Sequence, residues 1–72
     1  MTRLGVQSSN VESIGYDKSL RILEVVFHHG GVYHYLRVPP RQYRAFLRAP
    51  SKGRFLHVVI KPRYAFQRLR AS

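Results

Sequence analysis

At 72 residues, with a net charge of +10 and no cysteine, the chain is one domain at most, and neither a disulfide framework nor a thiolate zinc site can staple it. Its 44% hydrophobic content, including five tyrosines and four phenylalanines, excludes a disordered basic tail, while the longest apolar stretch, around Val25 to Phe27, is far too short to span a bilayer. Folding at this size buries only about 60% of the surface of the unfolded chain, so a small apolar core must hold the domain alone.

Val11 to Tyr16 reads as a short, weakly alternating strand that ends at the turn-forming cluster Asp17-Lys18-Ser19. Leu20 to Phe27 is the strongest strand, with Leu23, Val25 and Phe27 as its apolar stripe. His28-His29-Gly30-Gly31 forms a hairpin turn, and Val32 to Val38 returns beside it. Pro39 and Pro40 cannot donate to a ladder, but Pro40 suits the first turn of a helix. From there to Ala49, Tyr43, Phe46 and Leu47 recur at helical spacing. Pro50 stops that helix and Ser51 caps a second, short one, which turns Phe55, Leu56, Val59 and Ile60 inward before Pro62. The stretch from Arg63 to Ser72 alternates Tyr64, Phe66 and Arg68, as an edge strand or a segment lying along the sheet. The expected fold is α+β: a small three-stranded antiparallel sheet packed against one main helix and a short second helix. The domain is expected over residues 8 to 68, with tails at 1 to 7 and 69 to 72.

The placement of charge is more informative than its total. Residues 1 to 24 set Arg3, Lys18 and Arg21 against Glu12, Asp17 and Glu24 and sum to zero; residues 25 to 72 contain no acid at all. Solubility is the plainer reading of a basic surface. A field of one sign opposes compaction, however, and is best tolerated when the partner is a polyanion.

Within this acid-free half, Arg41, Arg44 and Arg48 fall at i, i+3 and i+7 along one stripe of the first helix, away from Phe46 and Leu47. Guanidinium forks match phosphate oxygens there with no interleaved glutamate. Ser51, Lys52 and Arg54 in "SKGRF" offer a second anion site, which reads equally as an ordinary capped helix start. Lys61 and Arg63 complete the cationic set. Tyr33 and Tyr35 point to one side of their strand, and the hairpin register decides which. A two-residue turn, His29-Gly30 or Gly30-Gly31, puts them on the face opposite Leu23, Val25 and Phe27. There they join Arg37, which lies near Glu24, as a stacking platform. A three-residue turn, His29-Gly30-Gly31, makes them core.

Catalysis finds little support. His28, His29, His34 and His57 show no H-x-x-x-H spacing, and three carboxylates form no acid/base pair. No cofactor or metal is expected. The N-terminal Met-Thr-Arg-Leu-Gly lacks the apolar core of a secretion signal, which makes the cytoplasm the expected compartment.

The order "SSN", "IGYD", "LEVVF", "GGVYHY", "VPP", "SKGRF", "IK" and a closing tyrosine resembles the KTSC domain over about residues 8 to 68. That domain is named for its place at the C-terminus of some lysyl-tRNA synthetases and also occurs as a lone bacterial protein. The resemblance implies a fold-sized module for which RNA binding has been suggested; His57 departs from it, since a small polar residue such as Asn is expected there. The expected function is binding of RNA or single-stranded nucleic acid by a non-enzymatic module. The alternative is a protein-docking module whose basic face meets an acidic partner. Membrane association is not expected, since no amphipathic helix has an exposed apolar face.

Overall fold

The computed structural model describes residues 1–70. They form β1 (Arg3–Gly5), β2 (Val11–Asp17), β3 (Ile22–Phe27), β4 (Val32–Tyr35), α1 (Pro40–Arg48), α2 (Lys52–Phe55) and β5 (Phe66–Arg70). A π-helical turn at Leu56–Ile60 continues α2. The strands make one antiparallel sheet in the order β1-β2-β3-β4-β5. The α+β class is as expected, but the three-strand count is corrected to five. Both added strands lie at the edges, and all their residues are exposed. Neither has a buried face, so the apolar alternation by which a strand is recognised in sequence is lacking in β1 and weak in β5. β1 comes from residues 1 to 7, read as a tail. β5 is the edge-strand alternative for the C-terminal stretch, whose last residues, Ala71 and Ser72, lie outside the described residues.

The weak alternation of β2 has a physical cause. The β2–β3 register shifts between Val11 and Ser13, so Glu12 bulges outward and Val11 and Ile14 both face the helices although three residues apart. At the next hairpin, the Phe27 N–H donates to the Gly31 carbonyl and the Gly30 N–H to the Phe27 carbonyl, each at 2.9 Å. The loop is thus His28-His29-Gly30, with Gly30 at φ 101°, a left-handed position that favours glycine. This register pairs Val25 with Tyr33 and Leu23 with Tyr35. The two-residue turn is overturned: both tyrosines share the helix-covered face with Leu23, Val25 and Phe27. The loop is the three-residue kind, set one position earlier than His29-Gly30-Gly31.

The core lies between that face and the helices. Val11, Ile14, Leu23, Val25, Tyr35 and Val38 meet Phe46 from α1 and Leu56 and Ile60 from the π-helical turn. Tyr35 is only 1% exposed, and burial pushes its phenol up to about 12, so it stays neutral. Tyr43 stacks on Tyr16 at 4.6 Å between ring centroids, and the Tyr16 hydroxyl donates to the Val38 carbonyl, which ties α1 to β2. No helix of the described residues is long and apolar enough to cross a membrane.

The other sheet face carries one row of side chains across four strands. Arg3 pairs with Gly15, Gly15 with Glu24, and Glu24 with His34. Because Gly15 has no side chain, Arg3 reaches over it, and its Nε donates to Glu24 at 2.6 Å; His34 Nε2 lies 2.9 Å from the other Glu24 oxygen. A Cβ on Gly15 would sit 2.9 Å from the Thr2 carbonyl oxygen, so glycine is required for this close approach. The hydrogen bond from Arg3 holds the Glu24 carboxyl below its usual value; burial opposes this and the hydrogen bond with His34 assists.

Two expectations follow for stability. Tyr35→Ala removes a large core side chain and costs roughly 3–5 kcal/mol in urea unfolding, much of what a domain of this size has, whereas Tyr35→Phe stays folded. Since the Glu24 carboxyl is depressed on folding, its contribution is complete above the usual value of 4.5 and is lost as pH falls through the lowered one. Melting temperature therefore falls on acidification below that range, and Glu24→Gln flattens the fall.

Candidate nucleic-acid interface

The acid-free half of the chain becomes a surface of unpaired cations. Among the described residues, the salt bridges are Arg3–Glu24 and His34–Glu24, and no arginine or lysine after residue 24 has a carboxylate partner. Asp17 is committed elsewhere: its Oδ1 accepts from the Leu20 N–H and closes the β2–β3 turn. Intramolecular neutralisation is therefore spent on the outer sheet face and at that turn.

Arg41, Arg44 and Arg48 are exposed along α1, opposite the face that buries Phe46. Arg44 lies close enough to Tyr16 to oppose the upward push of burial on that phenol. Arg37 is not on a strand. β4 ends at Tyr35, and Arg37 occupies the connection to α1 at φ 58°, exposed, where it lines a groove with Leu36, Arg63, Tyr64 and Ala65. Its expected place near Glu24 is corrected, since Arg3 and His34 hold that carboxylate. Arg37 and Arg63 are instead brought together from the two sides of the helical segment.

The stretch from Ser51 to Arg54 divides. The Ser51 hydroxyl accepts from the Arg54 N–H at 3.3 Å, an N-cap. Lys52 folds back, and its ammonium donates to the carbonyls of Leu47 and Ala49 at the C-terminus of α1. It serves the negative end of that helix and is not a free cation. Arg54 is exposed and borders an apolar cleft of Ala49, Pro50, Phe55, Val58 and Val59. Lys61 is exposed beyond the π-helical turn.

The tyrosine pair does not form an exposed platform. Tyr35 is core, and Tyr33 is half-buried, edge-on to Phe27 at 5.4 Å. The aromatic that reaches solvent is Phe66 on β5, 56% exposed. It pairs with Tyr35 in the sheet and lies 5.5 Å and 5.9 Å from the rings of Tyr33 and Tyr35. Arg68, two residues along β5, is also exposed and opposes Tyr33. Phe66 was visible in sequence only as part of the Tyr64, Phe66, Arg68 alternation. Its exposure depends on β5 being an edge.

The four histidines do not gather at one point, and among the described residues no three of His, Cys, Asp and Glu could hold a metal ion, although His29 and His57 line one cleft. His28 Nε2 lies 3.0 Å from the Ser8 carbonyl, His29 stacks on Phe27, His34 holds Glu24, and His57 is exposed on the π-helical turn.

A five-stranded antiparallel meander with its helices inserted before the last strand and packed on one face defines a small α+β domain. The chain belongs to the KTSC domain family, whose family model matches residues 7–64. It is similar to the crystal structure of a KTSC domain protein from Yersinia pestis, with a TM-score of 0.91 and 43% identity over 96% of this chain and 97% of that one. An uncharacterized protein of Stutzerimonas stutzeri is 45% identical over 64 residues, covering 89% of this chain and 90% of the relative. A lysine–tRNA ligase of Nostoc punctiforme is 32% identical over 63 residues, 88% of this chain but 11% of the ligase. This chain thus spans only a small part of such ligases.

Proposed function

We propose that this domain is a non-catalytic module that binds RNA or another single-stranded nucleic acid. One observation carries the reading: no arginine or lysine after residue 24 has a carboxylate partner among the described residues. A polyanion supplies the missing countercharge, and arginine forks suit phosphate geometry. Arg41, Arg44 and Arg48 contact successive phosphates, with Arg37 and Arg63 as a second cluster. Phe66, exposed and backed by Tyr33 and Tyr35, is the surface on which a base stacks, and Arg68 beside it meets the adjoining phosphate. Similarity to part of a lysine–tRNA ligase, an enzyme that acts on tRNA, agrees with an RNA partner.

The apolar cleft below Arg54 favours a second reading, docking of an acidic protein segment with an apolar anchor. The two readings separate on Phe66, which protein docking in that cleft does not touch.

Titration against short single-stranded RNA over a range of salt, with duplex RNA and heparin as comparators, tests the proposal. Affinity is expected to fall with a log–log salt slope of about −0.7 per phosphate contacted and to favour single strands over heparin. Joint replacement of Arg41, Arg44 and Arg48 by Ala reduces the slope by about 2, at about 0.7 per contact. Phe66→Ala loses roughly 1–3 kcal/mol of binding without unfolding, since its ring is largely in solvent. Equal binding to every polyanion, unaltered by Phe66→Ala, overturns the reading and leaves the docking alternative.

A further inference from the structure

The "SSN" and "SKG" motifs, 40 residues apart in sequence, meet in the fold, and neither is used by the surface described above. The loop of residues 7 to 10 faces the turn at Ser51–Arg54 across a polar cleft of about 220 Å³. A second cleft of about 350 Å³ adjoins it, lined by Asn10, Phe27, His29, Gly53, Leu56, His57 and Lys61. Asn10 and Gly53 belong to both, so the two form one groove between the β3–β4 loop and the helical segment.

Asn10 is held firmly in the middle of this groove. The Ser8 hydroxyl accepts from the N–H groups of Asn10 and Val11, at 3.3 and 3.2 Å. The backbone N–H of His28 donates to the Asn10 carbonyl at 3.0 Å, and the His28 ring lies on the Ser8 carbonyl. The Asn10 side-chain amide itself makes no hydrogen bond among the described residues and stays open to solvent.

His29 is positioned as carefully. Its ring stacks on Phe27, with centroids 5.3 Å apart and planes 5° from parallel. Its Nδ1 accepts from the Gly31 N–H at 3.2 Å, which leaves the proton of the neutral ring on Nε2 as an available donor. A Cβ on Gly31 would come within 2.6 Å of the ring, so the absence of a side chain there is what admits it. An exposed imidazole fixed in this manner adds little to a core. His57 and Lys61, four residues apart on the π-helical turn and its C-cap, line the same cleft. π-Turns occur disproportionately at functional sites. The groove contains no carboxylate.

We infer that this groove binds a nucleoside monophosphate unit, the phosphate held by Lys61, His57 and His29 and the base set against Phe27 with its edge on the Asn10 amide. The inference rests on the nucleic-acid reading above and adds to it a specific nucleotide subsite.

Adenosine 5′-monophosphate, adenosine and inorganic phosphate are titrated into the 15N-labelled protein and followed by NMR. Saturable shifts centred on Asn10, His29, His57 and Lys61 are expected with the monophosphate, at an affinity about tenfold or more above either fragment. His57→Ala and Lys61→Ala, both at exposed positions, each weaken it on the order of tenfold, the effect of one charge-assisted hydrogen bond, while Lys18→Ala at the distant β2–β3 turn leaves it unchanged. Shifts centred elsewhere, phosphate binding as tightly as the monophosphate, or indifference to both groove substitutions overturns the proposal. Single-stranded RNA that binds without any effect of these substitutions removes the subsite and leaves the broader function standing. Monophosphate binding in the groove without RNA binding does the reverse.

Discussion

The register of the β3–β4 hairpin is the constraint on which the rest depends. Gly30 at φ 101° closes a three-residue loop, and that loop pairs Val25 with Tyr33 and Leu23 with Tyr35. Side chains alternate with a period of two, so a shift of one residue would exchange every side chain of β4 between the two faces. Tyr35 would leave the core beneath Phe46, and His34 would enter it. The same register sets His34 opposite Glu24, and thereby decides where that buried carboxylate is neutralised.

That neutralisation explains the electrostatic character of the domain. Glu24 is 7% exposed and satisfied by Arg3 and His34, so it offers little countercharge to the arginines beyond the hairpin. Lys52 spends its charge on the carbonyl end of α1. The arginines at 37, 41, 44, 48, 54, 63 and 68 are exposed and form no salt bridge among the described residues. Mutual repulsion among them opposes folding, and a bound polyanion would relieve it. Polyanion binding would thus be coupled to stability through the same charges.

The helical segment does two jobs with one sequence. Leu56 and Ile60 close the core, while the residues between and after them, His57 and Lys61, look onto the groove that Asn10 and His29 complete. Gly31 and Gly53 contribute by lacking side chains: one makes room for the His29 ring, and the other lies beside the Asn10 amide, whose Nδ2 would be 3.4 Å from a Cβ. These close approaches fall within "GGVYHY" and "SKGRF", while Tyr35 of the first motif also serves the core.

The sequence by itself determined the α+β class, the β2–β3–β4 succession, the first helix and its stripe of arginines, the short capped second helix, and the segregation of charge. Each of these is local: a period of two or 3.6, a proline that cannot donate, or a count of acids along the chain. The edge strands were not legible as a pair, because every residue of Arg3–Gly5 and Phe66–Arg70 is exposed and no buried face marks them. The faces of Tyr33 and Tyr35 depended on a one-residue choice in a loop rich in His and Gly, where either turn is locally acceptable. Which cations are free also required the fold, since Lys52 is consumed by carbonyls and Arg37 lies past the end of β4 at φ 58°. The groove was the least legible of all. Asn10, His29, Gly53 and Lys61 are brought together by chain crossings between distant segments, and only tertiary packing sets such distances.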